Sequence, residues 1–79
     1  MTIKLLFFGA TADAVGKREL QFQSEAPMSV GEALQRLSAD YPPLRSHRLL
    51  SAVNQEYAGD KHLLEDGDEL AVFTAVSGG

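Results

Sequence analysis

Two rhythms of apolar residues run along this chain. Ile3-Lys4-Leu5-Leu6-Phe7-Phe8 is apolar in both phases of a two-residue period, which predicts a strand covered on both faces and therefore central in its sheet. Residues 9–16, bounded by Gly9 and Gly16, read as a turn or short helical link. From Lys17 to Ser24 the pattern alternates, with Leu20 and Phe22 on one side and Glu19, Gln21 and Gln23 on the other. That is a half-buried, peripheral strand, close enough in sequence to pair with the first as a hairpin.

The rhythm then changes to that of a helix. Val30, Ala33, Leu34, Leu37 and Tyr41 form one stripe, while Glu32, Gln35, Arg36 and Asp40 take the wet side. Ser29 and Glu32 have capping-box spacing, in which each side chain satisfies a backbone N–H at the helix start. Pro42-Pro43 ends the helix, because proline disfavours a helical residue before it and donates no hydrogen bond. Leu44 to Arg48 reads as a loop, Leu49 to Val53 as a short strand, and Asn54-Gln55 as a turn into another, Glu56 to Ala58. Gly59 to His62 is a connection, and Glu65-Asp66-Gly67-Asp68 a turn in which Gly67 is free to take positive φ. The last strand, Glu69 to Val76, is again apolar in both phases.

The resulting order is β-β-α-β-β-β, and its first and last strands read as the most buried. An α+β fold follows: a mixed sheet of about five strands, crossed by one main helix, with the terminal strands central, side by side and parallel. This is the β-grasp layout. Seventy-nine residues make one domain over 1–79, and 44% apolar content suffices for one core.

Charge and composition narrow the function. The net charge of −4 and scattered Lys and Arg residues offer no basic stripe for nucleic acid, and suit a soluble protein that meets a basic partner. The chain has no cysteine, which excludes disulfides, thiolate metal sites and thiol nucleophiles and fits a reducing, cytoplasmic setting. The longest apolar run, Leu5 to Phe8, is far too short for a bilayer span, so no membrane is expected.

Candidate chemistry inside the domain is thin. His47 and His62 stand in separate polar loops, and the acidic run from Glu65 to Glu69 lacks the ligand alternation of a calcium loop. No serine sits in a G-x-S-x-G elbow, and no glycine-rich phosphate cradle occurs. Neither a bound cofactor nor a metal is expected. The aromatics Phe7, Phe8, Phe22 and Phe73 read as core rather than as a ligand box.

That leaves Ser77-Gly78-Gly79, set directly after the last strand. Two glycines can thread a narrow channel in conformations closed to other residues. At about 3.3 Å per residue, a flexible tail over 76–79 would reach roughly 13 Å. A partner that adenylates the terminal carboxylate would make it an electrophile, and a sulfur or amine nucleophile could then displace AMP.

On these residues the chain resembles the small, sulfur-carrying subunit of molybdopterin synthase, the MoaD family of ubiquitin-like β-grasp proteins. The likeness covers the whole length. It rests on Ile3 to Phe8, on Leu50-Ser51-Ala52-Val53-Asn54-Gln55, and on Asp66-Gly67-Asp68-Glu69-Leu70-Ala71 leading to Val76-Ser77-Gly78-Gly79. The resemblance implies a role in molybdenum cofactor biosynthesis. An E1-like, MoeB-like enzyme uses ATP to adenylate Gly79, and a sulfur donor converts it to a thiocarboxylate. The tail then enters a MoaE-like large subunit and gives sulfur to cyclic pyranopterin monophosphate. Gly79 carries the sulfur, Gly78 and Ser77 complete the slender tail, and a heterotetramer with the large subunit is implied.

Phe8, Tyr57 and Phe73 are the expected partner-binding residues, although strand phase alone leaves open which sheet face is wet. Ala75 stands where the family often has proline, and Ser77 where it often has threonine. Two alternatives share the fold and tail: a ThiS-type sulfur carrier for thiamine thiazole synthesis, and a ubiquitin-like protein modifier. In each, the chain has no active site of its own, and its chemistry is completed by partners.

Overall fold

A computed structural model describes residues 1–75. Its elements are β1 (Thr2–Phe7), α1 (Ala10–Val15), β2 (Glu19–Gln23), β3 (Met28–Ser29), α2 (Val30–Asp40), a 3₁₀ turn (Pro42–Ser46), β4 (Leu49–Val53), β5 (Glu56–Tyr57), β6 (Leu63–Leu64) and β7 (Glu69–Thr74). Five strands form one sheet in the order β2-β1-β7-β4-β5. β1 and β7 are parallel, from Lys4 opposite Glu69 to Phe7 opposite Val72. Every other pairing in the sheet is antiparallel. This is the expected β-grasp, with the first and last strands central.

α2 covers one face of the sheet. Ser29 accepts from the Glu32 N–H and the Glu32 carboxylate accepts from the Ser29 N–H, so the expected capping box is formed. The next N–H groups are also satisfied, Val30 by the His62 carbonyl and Gly31 by that of Asp60. Val30, Ala33 and Leu37 are buried against Ile3, Leu5, Phe7, Val53, Leu70 and Val72. Each fully buried large apolar side chain contributes about 1.5–3 kcal/mol.

Some expectations need correction. The prolines end the α-helix, but the chain continues as a 3₁₀ turn rather than an open loop. Tyr41 presents its carbonyl to the Leu44 N–H, and Leu44 becomes wholly buried. Proline suits the first positions of such a turn, where an N–H has no partner to serve. Met28–Ser29 and Leu63–Leu64 pair as a second, two-stranded sheet that was not foreseen. β1 ends at Phe7 rather than Phe8, and β7 ends at Thr74; Val76, the expected last strand residue, lies outside the described residues.

Both sharp turns follow their residues. Asn54 and Gln55 have φ of 50° and 72°, so both central residues of the β4–β5 hairpin are left-handed, as in a two-residue turn of the primed type. Asn54 bears the strain because its side chain is engaged: its amide donates to Asp68 and its oxygen accepts from the Glu69 N–H. Gly67 takes φ of 86°. Around it Asp66 accepts from the Thr2 N–H, and Asp68 from the Glu65 N–H. The acidic turn is thus a clamp on the start of β1, and the carboxylates of Asp66 and Asp68 are occupied as hydrogen-bond acceptors.

Candidate functional site

Strand pleating divides β1, β7 and β4 into two sets. Ile3, Leu5, Phe7, Leu70, Val72, Ser51 and Val53 point toward α2 and are buried. Leu6, Ala71, Phe73, Leu50 and Ala52 occupy the opposite face, where Leu6 pairs with Ala71, and Leu50 with Phe73. Nothing among the described residues covers this second face. The two-phase apolar pattern therefore overstates burial: β1 and β7 are central, as expected, but their outer faces are only half-buried. A contiguous apolar sheet face of this kind marks an interaction surface.

The three residues expected to bind partners fall on or beside it. Tyr57 pairs in register with Ala52 on β5 and is 84% exposed. Its ring meets that of Phe73, centroids 5.9 Å apart and planes inclined by 60°. Phe8 follows the end of β1 and is 54% exposed, so it is not core. It borders a shallow concavity of about 650 Å³ that also involves Leu6, Ala12, Asp13 and Arg18. Of the other aromatics, Phe7 is core, and Phe22 is half-buried beneath the Arg36 guanidinium at 4.9 Å. Leu6, Leu50, Ala52 and Ala71 belong to the surface but were not singled out; their signal was the second apolar phase of their strands.

The polar flank of the face is set by Lys4, whose ammonium lies 2.9 Å from the Glu19 carboxylate. That hydrogen bond and charge raise the Lys4 pKa above 10.5, with Glu69 adding a little.

The far end of β7 is held by α1. Thr11 is completely buried, and its hydroxyl lies 2.7 Å from the Val72 carbonyl and 2.8 Å from that of Phe8. The same oxygen accepts from the Phe8 N–H. Gly9, with φ of 56°, turns the chain from β1 into this helix. Gly16, at φ 81°, ends it by donating to the Ala12 carbonyl.

His47 and His62 are both exposed, and no group of three metal-ligating side chains occurs among the described residues. No helix among them is long and apolar enough to cross a membrane. The expected tail residues Ser77, Gly78 and Gly79 lie outside the described residues.

Known proteins resemble this chain along its whole length. The Chlamydomonas reinhardtii molybdopterin synthase sulfur carrier subunit is 35% identical over 83 residues, covering 100% of both chains. The corresponding protein of Mycobacterium tuberculosis is 37% identical, covering 98% of this chain and 96% of its own. Among solved structures, the small archaeal modifier protein 1 of Haloferax volcanii superposes with a TM-score of 0.83 at 26% identity, covering 95% of this chain and 98% of that one. The model of the ThiS family matches residues 5–79, and with these relatives it shows that the chain belongs to the ThiS family.

Proposed function

We propose that this protein is a molybdopterin synthase sulfur carrier. The observation that carries the reading is the end-to-end likeness to proteins of that name, joined to a body with one bare apolar sheet face. β7 supplies the link: it is central, bordered by the bare apolar face, and leads toward residues 76–79.

In this reading the Gly79 carboxylate attacks the α-phosphate of ATP within an E1-like, MoeB-like partner, releasing pyrophosphate and forming an acyl adenylate. A sulfur nucleophile then attacks the acyl carbon. With hydrosulfide as the nucleophile, AMP leaves as the C–S bond forms, and loss of the S–H proton gives the thiocarboxylate. In a MoaE-like large subunit that sulfur bonds to a carbon of cyclic pyranopterin monophosphate. Water then cleaves the acyl–sulfur bond, returning Gly79 to a carboxylate and leaving one of the two dithiolene sulfurs on the substrate; a second charged carrier supplies the other. Gly78 and Ser77 keep the approach narrow. Phe8, Tyr57 and Phe73 form the surface through which the body docks, in a heterotetramer with the large subunit. ATP is used by the activating partner.

The test is incubation with the E1-like enzyme, ATP and a sulfur donor, followed by mass spectrometry of the C-terminal peptide. Exchange of one oxygen for sulfur at Gly79 is expected. An unchanged mass, with a tail-extended chain supporting molybdopterin synthesis as well as the wild type, overturns the reading.

A second reading, a protein modifier, is favoured by the likeness to a small archaeal modifier protein. It differs in outcome: Gly79 would appear in isopeptide linkage to lysines of other proteins. A ThiS-type thiazole carrier would instead be captured by a thiazole synthase, and pull-down distinguishes it.

A further inference from the structure

Charge is distributed unevenly along the strands. The C-terminal ends of β1 and β7 lie at the same end of the sheet, because the two are parallel. β2 and β4 run against them, so the residues preceding those strands lie at that end too. These are Lys17 and Arg18 before β2, and Arg48 before β4, all exposed. No carboxylate of the described residues comes within ion-pairing distance of any of them. Asp13 shares a concavity with Arg18, and Glu19 is committed to Lys4. At the opposite end stand Glu56, Glu65, Asp66, Asp68 and Glu69, against the N-terminal amine. A six-residue strand separates the two ends by about 20 Å. The acidic net charge is therefore concentrated where β7 begins, and cations stand on both sides of where it finishes.

We propose that Lys17, Arg18 and Arg48 form a cationic collar that steers the carrier, tail end first, onto an acidic rim around the tail channel of the activating enzyme. The inference rests on the sulfur-carrier reading and adds how the partner is approached. The activating enzyme must capture and release a carrier in every cycle, so it gains from fast association that does not slow dissociation. Long-range charge does this: it raises association rates by about 10 to 10³-fold and contributes little to residence time. The acidic far end is repelled by the same rim, so the field selects orientation as well as speed. The collar adjoins the apolar face through the concavity shared by Phe8 and Arg18, so a steered encounter arrives with the docking surface in place.

The test is kcat/KM for carrier-dependent pyrophosphate release by the E1-like adenylating enzyme, measured across salt concentration. Arg18→Glu with Arg48→Glu is expected to lower kcat/KM roughly tenfold at low salt with kcat unchanged, and the deficit should close near 1 M salt, where the screening length is about 3 Å. Arg18→Gln with Arg48→Gln should give an intermediate loss, and Glu65→Lys at the far end, which weakens repulsion from the rim, should not lower kcat/KM. Equal kcat/KM for wild type and the doubly reversed variant at low salt overturns the proposal. So does a loss that persists undiminished at high salt, provided circular dichroism shows the variant folded. A wild-type chain that elicits no pyrophosphate release at any salt concentration instead removes the carrier reading.

Discussion

The rings of Tyr57 and Phe73 meet across β4, their centroids 5.9 Å apart, although their strands are not neighbours in the sheet. Ala52 opposite Tyr57 leaves room for the contact. The pair lies on the bare sheet face. Tyr57 at 84% exposure has little to lose in the folded monomer. Tyr57→Ala should therefore change stability by no more than about 0.5 kcal/mol. It should weaken binding to the large subunit about tenfold, or roughly 1.4 kcal/mol, as loss of an aromatic anchor does. Thermal melting and titration calorimetry on one preparation check both halves. Unchanged affinity would remove Tyr57 from the interface.

Two buried hydroxyls should respond in opposite ways. Thr11 serves the Val72 and Phe8 carbonyls and the Phe8 N–H. Thr11→Val leaves these groups only their longer bonds, Phe8 N–H to the Val72 carbonyl at 3.4 Å and Thr11 N–H to the Phe8 carbonyl at 3.2 Å. A cost of about 1–3 kcal/mol is expected in denaturant unfolding. Ser51 is 5% exposed, and its Oγ has no hydrogen-bond partner among the described residues. Ser51→Ala removes an unsatisfied group and should leave stability equal or higher, by up to about 1 kcal/mol. Marked destabilisation by Ser51→Ala would show that the hydroxyl is engaged in solution.

The cap of α2 is a local test of the fold. Ser29→Ala deletes the acceptor for the Glu32 N–H and should cost about 1 kcal/mol. Since β3 ends at the same residue and pairs with β6, hydrogen exchange should quicken at Leu63 and Leu64 as well as in the first helical turn. Acceleration confined to the helix would mean that the small sheet holds independently.

The Lys4–Glu19 pair sets an alkaline dependence. The Lys4 pKa is raised above 10.5, chiefly by the Glu19 carboxylate. A raised pKa in a cationic group stabilises the fold fully below its unfolded value, and that contribution is lost as pH rises through the folded value. Lys4→Met should therefore behave more like the wild type as the lysine deprotonates, in melts spanning about pH 9 to 12. The difference is expected to be small, because the pair is exposed. A stability gap that is constant across this range would mean that the charge is not involved.

Much of the molecule was legible because the signals were local. Ser29 and Glu32 act within one turn, Asn54-Gln55 and Gly67 sit where φ must be positive, and Leu20 and Phe22 alternate against glutamines. The two-residue strands were not legible, since Met28–Ser29 and Leu63–Leu64 are too short to show a period. Leu44 carries the only deep burial in its segment, and one apolar residue among prolines, an arginine and a serine has no rhythm. Of the candidate surface, the strand pattern carries the apolar residues but not which face they take. The resemblance points to Phe8, Tyr57 and Phe73, which lie on or beside the bare face, whereas the doubled apolar phase of β1 and β7 predicts two covered faces and only one is covered. A single chain cannot distinguish a face covered by itself from one left for another protein.

β7 has one more consequence. It lies between β1 and β4, and without it the β1–β2 and β4–β5 hairpins share no strand. Its pairing with β1 joins positions 65 residues apart, as Leu5 with Leu70. For contacts so distant in sequence, a large loop-closure entropy must be overcome before the pairing offsets it. The strand that leads to the tail is thus also the keystone of the sheet. Assembly of the sheet and anchoring of β7 are one cooperative event, so a chain whose sheet has opened has also lost the ordered strand that precedes residues 76–79.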